Sequence, residues 1–236
     1  MSKKAWIIFA AACILLLGAL VYFSNKGHVD VTGIDGNKIQ PASQKSGNIA
    51  DHTYGQTNSS VVLIEYGDYQ CPYCGQAYPG IKAVVQKYQG QITFVFRNFP
   101  LTSLHPNALA AAAVAEAAGL QGQSKYWQMH DTLYDNQSEW ENATGSQRTA
   151  LFQKYASDIG LTIATYNADL AGDNISQKIQ FDQALGNQAQ VDATPTLFLD
   201  GTKLDDTTAA TQSKLDSAVQ AALKQHGIAL PTSTAS

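Results

Sequence analysis

The chain has 236 residues, of which 44% are hydrophobic and 14% are charged, and its formal net charge is −4. The hydrophobic share is typical of a protein with a packed core and argues against a disordered chain. Nucleic-acid binding through a basic face is not expected, because contacts to phosphate groups need clustered Lys and Arg side chains.

The first predicted element is a transmembrane helix. Residues 5–23 form a run of 19 residues without a charge, and a helix of that length spans about 28 Å, close to the ~30 Å hydrocarbon core. Lys3 and Lys4 precede the run, which favours a cytoplasmic N-terminus and an exported body. A cleaved signal peptide and a lipoprotein anchored at Cys13 are the alternatives. We therefore predict a cytoplasmic stub and membrane anchor over 1–26, in contact with lipid, and an extracytoplasmic remainder.

The rest of the chain is predicted to be a linker followed by an interrupted α/β domain. Residues 27–57 are polar and show no apolar periodicity, which predicts a linker. A strand–helix–strand pattern follows, then a long run of helices, and finally two strands and a helix, which together predict one four-stranded mixed sheet. The predicted units are a sheet domain formed by 58–104 and 178–228, a helical insertion over 105–177, and a tail over 229–236.

The exported part has only two cysteines, Cys71 and Cys74, in a C-P-Y-C motif after the first predicted strand. Pro72 suits the first turn of a helix, whose N-terminal N–H groups and dipole would stabilise a thiolate on Cys71. Cys74 is then placed to resolve a mixed disulfide. A structural disulfide is one alternative, but so small a loop constrains the unfolded chain little. A zinc site is the other, but it needs two further ligands and the histidines are scattered. We predict a redox pair, with no metal and no organic cofactor.

Two further residues are candidates on their own chemistry. A cis peptide bond before Pro195 would present backbone groups to an extended substrate, whereas a trans proline would open an edge strand. Glu65 lies in an otherwise apolar strand, six residues before Cys71. It is either an edge residue that faces water or a buried carboxyl group that exchanges a proton with Cys74.

Five segments are similar to those of one known family: 65–75, 97–101, 105–108, 127–133 and 194–196. They resemble the DsbA-like branch of the thioredoxin superfamily, and the resemblance covers about residues 50–227. It implies a thioredoxin-like α/β fold with an inserted helical domain. Two departures are visible. Ala193 stands where the family commonly has Gly, and Pro72-Tyr73 is the dipeptide typical of glutaredoxins.

The resemblance also implies roles for individual residues. Cys71 and Cys74 would be the catalytic thiols, and Glu65 would relay the proton of Cys74. Substrate binding is implied for the dipeptide between the cysteines and for the proline loop, that is, for Pro72, Tyr73, Thr194 and Pro195.

The function implied is that of an extracytoplasmic oxidase that donates its disulfide to exported protein substrates. A membrane quinone-linked thiol oxidase of the DsbB or VKOR (vitamin K epoxide reductase) type would recharge it. The alternatives are a reductase or isomerase on the same scaffold, and a non-catalytic chaperone or binding module, which would have no use for both thiols. Because Tyr73 is neutral near pH 7, we expect a Cys71 pKa between about 4 and 6 and a reduction potential above about −180 mV.

Overall fold

The computed structural model describes residues 29–231. Its strands form a single five-stranded sheet in the order β1-β3-β2-β4-β5. The central strands β2 and β3 are parallel, and the other neighbouring pairs are antiparallel. The strands are β1 Thr53–Gly55, β2 Val62–Gly67, β3 Thr93–Asn98, β4 Thr196–Leu199 and β5 Thr202–Lys203.

The helices cover both faces of this sheet. The helix α1 is the crossover between β2 and β3, as a parallel pair requires, and six helices separate β3 from β4. A short 3₁₀ helix, Gln44–Ser46, precedes the sheet. The α-helices of the described residues are α1 Pro72–Lys87, α2 Ala108–Leu120, α3 Gln123–Asp135, α4 Gln137–Trp140, α5 Gly145–Asp158, α6 Ile163–Leu170, α7 Asp173–Gln188, α8 Asp206–Ala210 and α9 Gln212–Gln225.

The central strand β2 sends alternate side chains into two cores. Leu63 packs with α1, α9 and the helical insertion, whereas Ile64 packs with α7 and the N-terminal segment on the opposite face. Side chains two residues apart on a strand share a face, so Glu65 lies on the same side as Leu63. The sequence period of β2 thus directs one carboxyl group toward α1 and the cysteines.

The predicted α/β fold with a helical insertion is confirmed. The predicted boundary between residues 177 and 178 falls inside α7, which is continuous across it. The reason is that α7 serves both cores: Ile175 and Ile179 pack in the core shared with the insertion, and Phe181 and Leu185 cover the second face of the sheet.

The predicted linker is wrong for its described part, residues 29–57. Its strand β1 pairs with β3, and Asp51 forms an ion pair with the fully buried Arg97 at 2.8 Å. The Arg97 guanidinium also donates to the carbonyls of Gly36 and Lys38. A buried cation must be paired and hydrogen-bonded, and this polar segment supplies the partners. The polar composition of this segment predicted a solvated linker, but its polar groups instead pair with the buried Arg97 guanidinium.

The predicted transmembrane span, residues 5–23, lies outside the described residues. Within residues 29–231, no helix is both long enough and apolar enough to span a bilayer.

Candidate redox site

The two cysteines lie at the N-terminal end of α1. Cys71 is the N-cap residue, with extended backbone angles (φ −65°, ψ 124°), and Pro72 is the first helical residue. A proline there loses no hydrogen bond, because the first N–H groups of a helix have no intrahelical partner. The helix therefore begins where the sequence predicts. Both cysteines are free thiols in this structure.

The Cys71 sulfur is surrounded by hydrogen-bond donors. The Cys74 thiol donates to it and contributes most to lowering the pKa of Cys71 to about 5, although partial burial opposes the shift. The Thr194 side chain and the backbone N–H groups of Cys74 and Tyr73 lower the pKa further. This value lies within the range that the sequence predicts. Cys71 is therefore the thiol that ionises below neutral pH.

Cys74 has the opposite character. Burial raises the pKa of its thiol well above the ordinary value, and the hydrogen bond to Cys71 and the charge of Glu65 act in the same direction. Cys74 exposes 0% of its surface and Cys71 only 3%. Both thiols are therefore buried in this reduced state. The reason is that the Cys71 thiol turns inward and donates to the Thr194 carbonyl at 3.3 Å.

The proline loop borders the redox pair. The Thr194–Pro195 peptide bond is cis, and both residues line a groove of about 370 Å³ that Tyr73 and several alanines complete. The Tyr73 side chain is 71% exposed, whereas Thr194 is buried. Three of the four predicted substrate-binding residues therefore share one groove. The fourth, Pro72, is exposed at the start of α1 and is not part of its lining.

Glu65 lies behind the cysteines in the central strand β2, between Phe96 of β3 and Leu197 of β4. It is 3% exposed, which rules out the edge-residue alternative. Burial raises its pKa to about 8, and the nearby negative charge of Cys71 adds to the effect. No hydrogen bond from a described residue opposes this shift, so the carboxyl group keeps its proton to a higher pH than an exposed carboxyl group does and ionises around pH 8.

A second cavity connects Glu65 with the surface on the other side of α1. Its volume is about 50 Å³, which is enough for a small number of waters. The inner end is lined by Glu65 and His130, and the outer end by Lys82, Gln86 and Asp131. The groove and this cavity have no lining residue in common. Protons can therefore reach Glu65 from a face that a substrate in the groove does not cover.

His130 is a neutral residue of the interior. Burial lowers its pKa to about 3, and the charge of Lys82 acts in the same direction. Its Nδ1 atom lies 3.0 Å from the Tyr69 hydroxyl, and the rings of Phe96 and Trp127 pack edge-on against it. The imidazole thus gives the cavity a polar wall without adding a charge close to Glu65.

Asp68 organises the turn that leads into Cys71. Its carboxylate accepts the N–H groups of Gln70 at 2.8 Å and Leu101 at 2.9 Å, and it lies 2.7 Å from His105 Nδ1. Its carbonyl accepts the Cys71 N–H at 3.0 Å. The sequence offers a weak signal for this role, because Asp side chains often hydrogen-bond the backbone two residues on. The partners Leu101 and His105 are visible only in the fold.

Comparison with known proteins agrees with this geometry. A family model described as thioredoxin matches residues 47–221. The chain belongs to the thioredoxin family. Curated relatives include a Na⁺/H⁺ antiporter NhaA 1 of Salinispora arenicola, which is 37% identical over 151 residues, or 64% of this chain and 22% of that protein. The chain thus spans about a fifth of the length of such relatives.

Solved structures with the same fold include BdbD from Bacillus subtilis, with a TM-score of 0.65 at 20% identity over 79% of this chain and 97% of that chain. The thiol-disulfide exchange protein alpha-DsbA2 from Wolbachia pipientis has a TM-score of 0.63 at 23% identity, over 73% and 87% of the two chains. The predicted DsbA-like fold of the thioredoxin superfamily is therefore confirmed.

Proposed function

We propose that this thioredoxin-family protein is an extracytoplasmic thiol:disulfide oxidoreductase that donates a Cys71–Cys74 disulfide to thiols of exported proteins. The observation that carries the proposal is the opposite shift of the two pKa values, with Cys71 lowered to about 5 and Cys74 raised. Exchange needs one thiol that is ionised at working pH and a partner that stays protonated until it reacts. The groove beside the cis-proline loop supports the same conclusion, because it offers an extended peptide a place next to Cys71.

The reaction balances on these residues. A substrate thiolate attacks the Cys71 sulfur, and the Cys71–Cys74 bond breaks with its electron pair on Cys74. The Cys74 sulfur takes a proton from the Glu65 carboxyl group, which regains one through the cavity beside His130. A second substrate thiolate then attacks the substrate sulfur of the mixed disulfide and releases Cys71 as a thiolate. The substrate loses two electrons, and the cysteine pair gains them.

The low pKa of Cys71 also favours the oxidising direction. Whatever stabilises the thiolate stabilises the reduced protein, so the disulfide becomes a stronger oxidant. We expect the full chain, equilibrated with glutathione buffers and quantified by thiol alkylation, to have a potential above about −180 mV, nearer DsbA than thioredoxin. A potential below about −230 mV would favour a reductase, because a disulfide that stable is a weak oxidant of substrate thiols and its reduced form is a good electron donor.

The proposed location and partners follow from the N-terminal run. We propose that residues 5–23 anchor the protein in the cell membrane, with the redox site outside, and that a quinone-linked thiol oxidase of the DsbB or VKOR type recharges it. The chain should then be extracted from membranes by detergent and not by high salt. Protease added to intact cells should remove residues 50–230. Protection of that part would reverse the topology and remove the exported role.

A further inference from the structure

One side chain of the helical insertion reaches the turn that carries the redox pair. Gln137 is the first residue of α4. Its Nε2 atom donates to the Tyr69 carbonyl at 2.7 Å and to the Cys71 carbonyl at 3.0 Å. The Gln137 side-chain amide therefore donates to the backbone carbonyls of the residues before and after Gln70. The second of these carbonyls belongs to Cys71, whose sulfur is proposed to form the mixed disulfide with the substrate.

The residue that follows the second cysteine leaves room for this amide. A Cβ atom on Gly75 would lie 2.4 Å from Gln137 Oε1, closer than such atoms approach. Gly75 is inside α1, where glycine is less favourable than alanine by about 0.5–1 kcal/mol. Its backbone is helical, so no unusual dihedral angle requires glycine there. The close approach of Gln137 is the remaining physical reason for it.

We propose that Gln137 is a positioning residue for the thiol chemistry: from the insertion, it fixes the Cys71 backbone and so keeps the Cys71 sulfur among its donors. This inference rests on the proposed function. The donors that lower the pKa of Cys71 come from Cys74, Thr194 and Tyr73. They can reach the Cys71 sulfur only while the Cys71 backbone keeps its position relative to α1 and the proline loop. The amide also offsets the negative end of the Cys71 carbonyl dipole, which would otherwise oppose a thiolate on the same residue.

The docking of the insertion does not depend on this amide. Gln70 Nε2 donates to the Glu141 carbonyl at 2.7 Å, and Gln70 Oε1 accepts the Asn107 N–H at 2.6 Å. Asn107 itself donates to the backbone of the loop after α4. None of these hydrogen bonds involves the Cys71 carbonyl. Loss of the Gln137 amide should therefore loosen Cys71 while the insertion stays in place.

The test is a thiolate titration of the full-length Gln137→Leu variant, followed by ultraviolet absorbance as pH is raised. We expect the Cys71 pKa to rise by about one unit, because part of the donor set is lost. The equilibrium constant for oxidation of the reduced pair by oxidised glutathione should rise about tenfold, which corresponds to a potential lower by about 30 mV.

Two variants separate positioning from general damage. Gln121→Leu removes a matched pair of hydrogen bonds to the Thr162 backbone within the insertion and should leave the Cys71 pKa unchanged. Gly75→Ala should displace the Gln137 amide while favouring the helix. It should therefore shift the pKa in the same direction as Gln137→Leu without lowering the thermal midpoint.

The proposal is wrong if Gly75→Ala and Gln137→Leu both titrate like Gln121→Leu. It is equally wrong if the shift appears only in variants that are destabilised. Should Gln137→Leu not fold, Gly75→Ala decides alone. A wild-type chain that titrates with a low thiol pKa and yet exchanges no disulfides would instead contradict the proposed function, so the two failures are distinguishable.

Discussion

Asp51 and Glu65 are both buried carboxyl groups, and the protein shifts their pKa values in opposite directions. Burial alone would raise the pKa of Asp51, but the Lys178 and Arg97 cations, each 2.8 Å from one of its oxygens, hold it below its ordinary value. No cation within residues 29–231 pairs with Glu65, and burial raises its pKa to about 8. The difference shows that pairing, and not burial, decides which interior carboxyl group can exchange a proton near neutral pH.

The same contrast extends to the two regions in which these residues lie. In the first, which we call the ion cluster, Asp51, Arg97, Lys178, Asp182 and Glu116 join the N-terminal segment, β3, α2 and α7 through ion pairs and hydrogen bonds. In the redox site, the thiols and Glu65 form no ion pair with a described residue and keep ionisations that can change during a reaction. The cluster is suited to holding segments together, and the redox site to chemistry.

The largest expected effect is on the thiols. Cys71→Ser should abolish disulfide exchange, because the sulfur that forms the mixed disulfide with the substrate is gone. Cys74→Ser should instead accumulate mixed disulfides with substrates, because the neighbouring thiol that could displace the substrate from Cys71 is gone. Non-reducing gels of cells that express each variant would distinguish the two outcomes. If alkylation of the reduced protein at pH 6 labelled Cys74 before Cys71, the roles would have to be exchanged.

The next effect is on stability, and it concerns the ion cluster. Arg97→Met should lower the free energy of unfolding by about 3–5 kcal/mol, since it leaves Asp51 with a buried charge that is only partly paired. The matched control is Lys87→Met, which removes a half-exposed ion pair with Asp216 and should cost no more than about 1 kcal/mol. Urea unfolding measures both. A Cys71 pKa that moved with Arg97→Met would contradict the separation of the two regions.

These two regions differ in how far the sequence predicts them. The redox site is predicted by local signals, namely the C-P-Y-C spacing, Pro72 at the start of the helix and the β-branched residues of the strands. The structure confirms the predicted helix and the two central strands. The partners of Arg97 are not local. Asp51 lies 46 residues before it and Lys178 is 127 residues from Asp51. The sequence alone therefore does not distinguish a polar segment that pairs with a buried charge from a polar segment exposed to solvent. Gln137 was missed for the same reason, since its partners are backbone carbonyls from another element.

A smaller effect concerns the rate at which Cys74 reacts. Glu65→Gln should slow the release of glutathione from a Cys71–glutathione adduct about 10²-fold near pH 8, because a positioned base is lost. In the wild type this rate should rise with pH and level off above about 8, where Glu65 is ionised. In the variant it should keep rising, since ionisation of Cys74 itself becomes limiting. Stopped-flow mixing followed by mass spectrometry measures the step.

Glu139→Gln is the matched control, because this carboxylate lies in the insertion and accepts a hydrogen bond from Tyr155. Its pH profile should coincide with that of the wild type. Identical profiles for Glu65→Gln and Glu139→Gln would remove Glu65 from the proton step, whatever its pKa.

The last effect is on how stability varies with pH, where the opposite pKa shifts of Cys71 and Glu65 can be compared in one measurement. The Cys71 pKa is lowered to about 5, so the stability it contributes is present at high pH and is lost as pH falls toward 5, at up to about 1.4 kcal/mol per unit. The Glu65 pKa is raised to about 8. Its contribution has the opposite sign: it is present at low pH and is lost as pH rises from the ordinary carboxyl range to about 8.

The two slopes should therefore largely cancel between pH 5 and 8 in the reduced wild type. In reduced Glu65→Gln only the Cys71 slope remains, so stability relative to the wild type should increase with pH across that window. In the disulfide form the Cys71 slope is absent, and oxidised wild type should instead lose stability relative to oxidised Glu65→Gln as pH rises. Urea unfolding of the four species at pH 5, 6, 7 and 8 tests this, since groups common to all of them, including Asp182 of the ion cluster, drop out of the differences. Parallel curves for wild type and variant in both redox states would mean that Glu65 ionises like an exposed carboxylate, and the contrast with Asp51 would then fail.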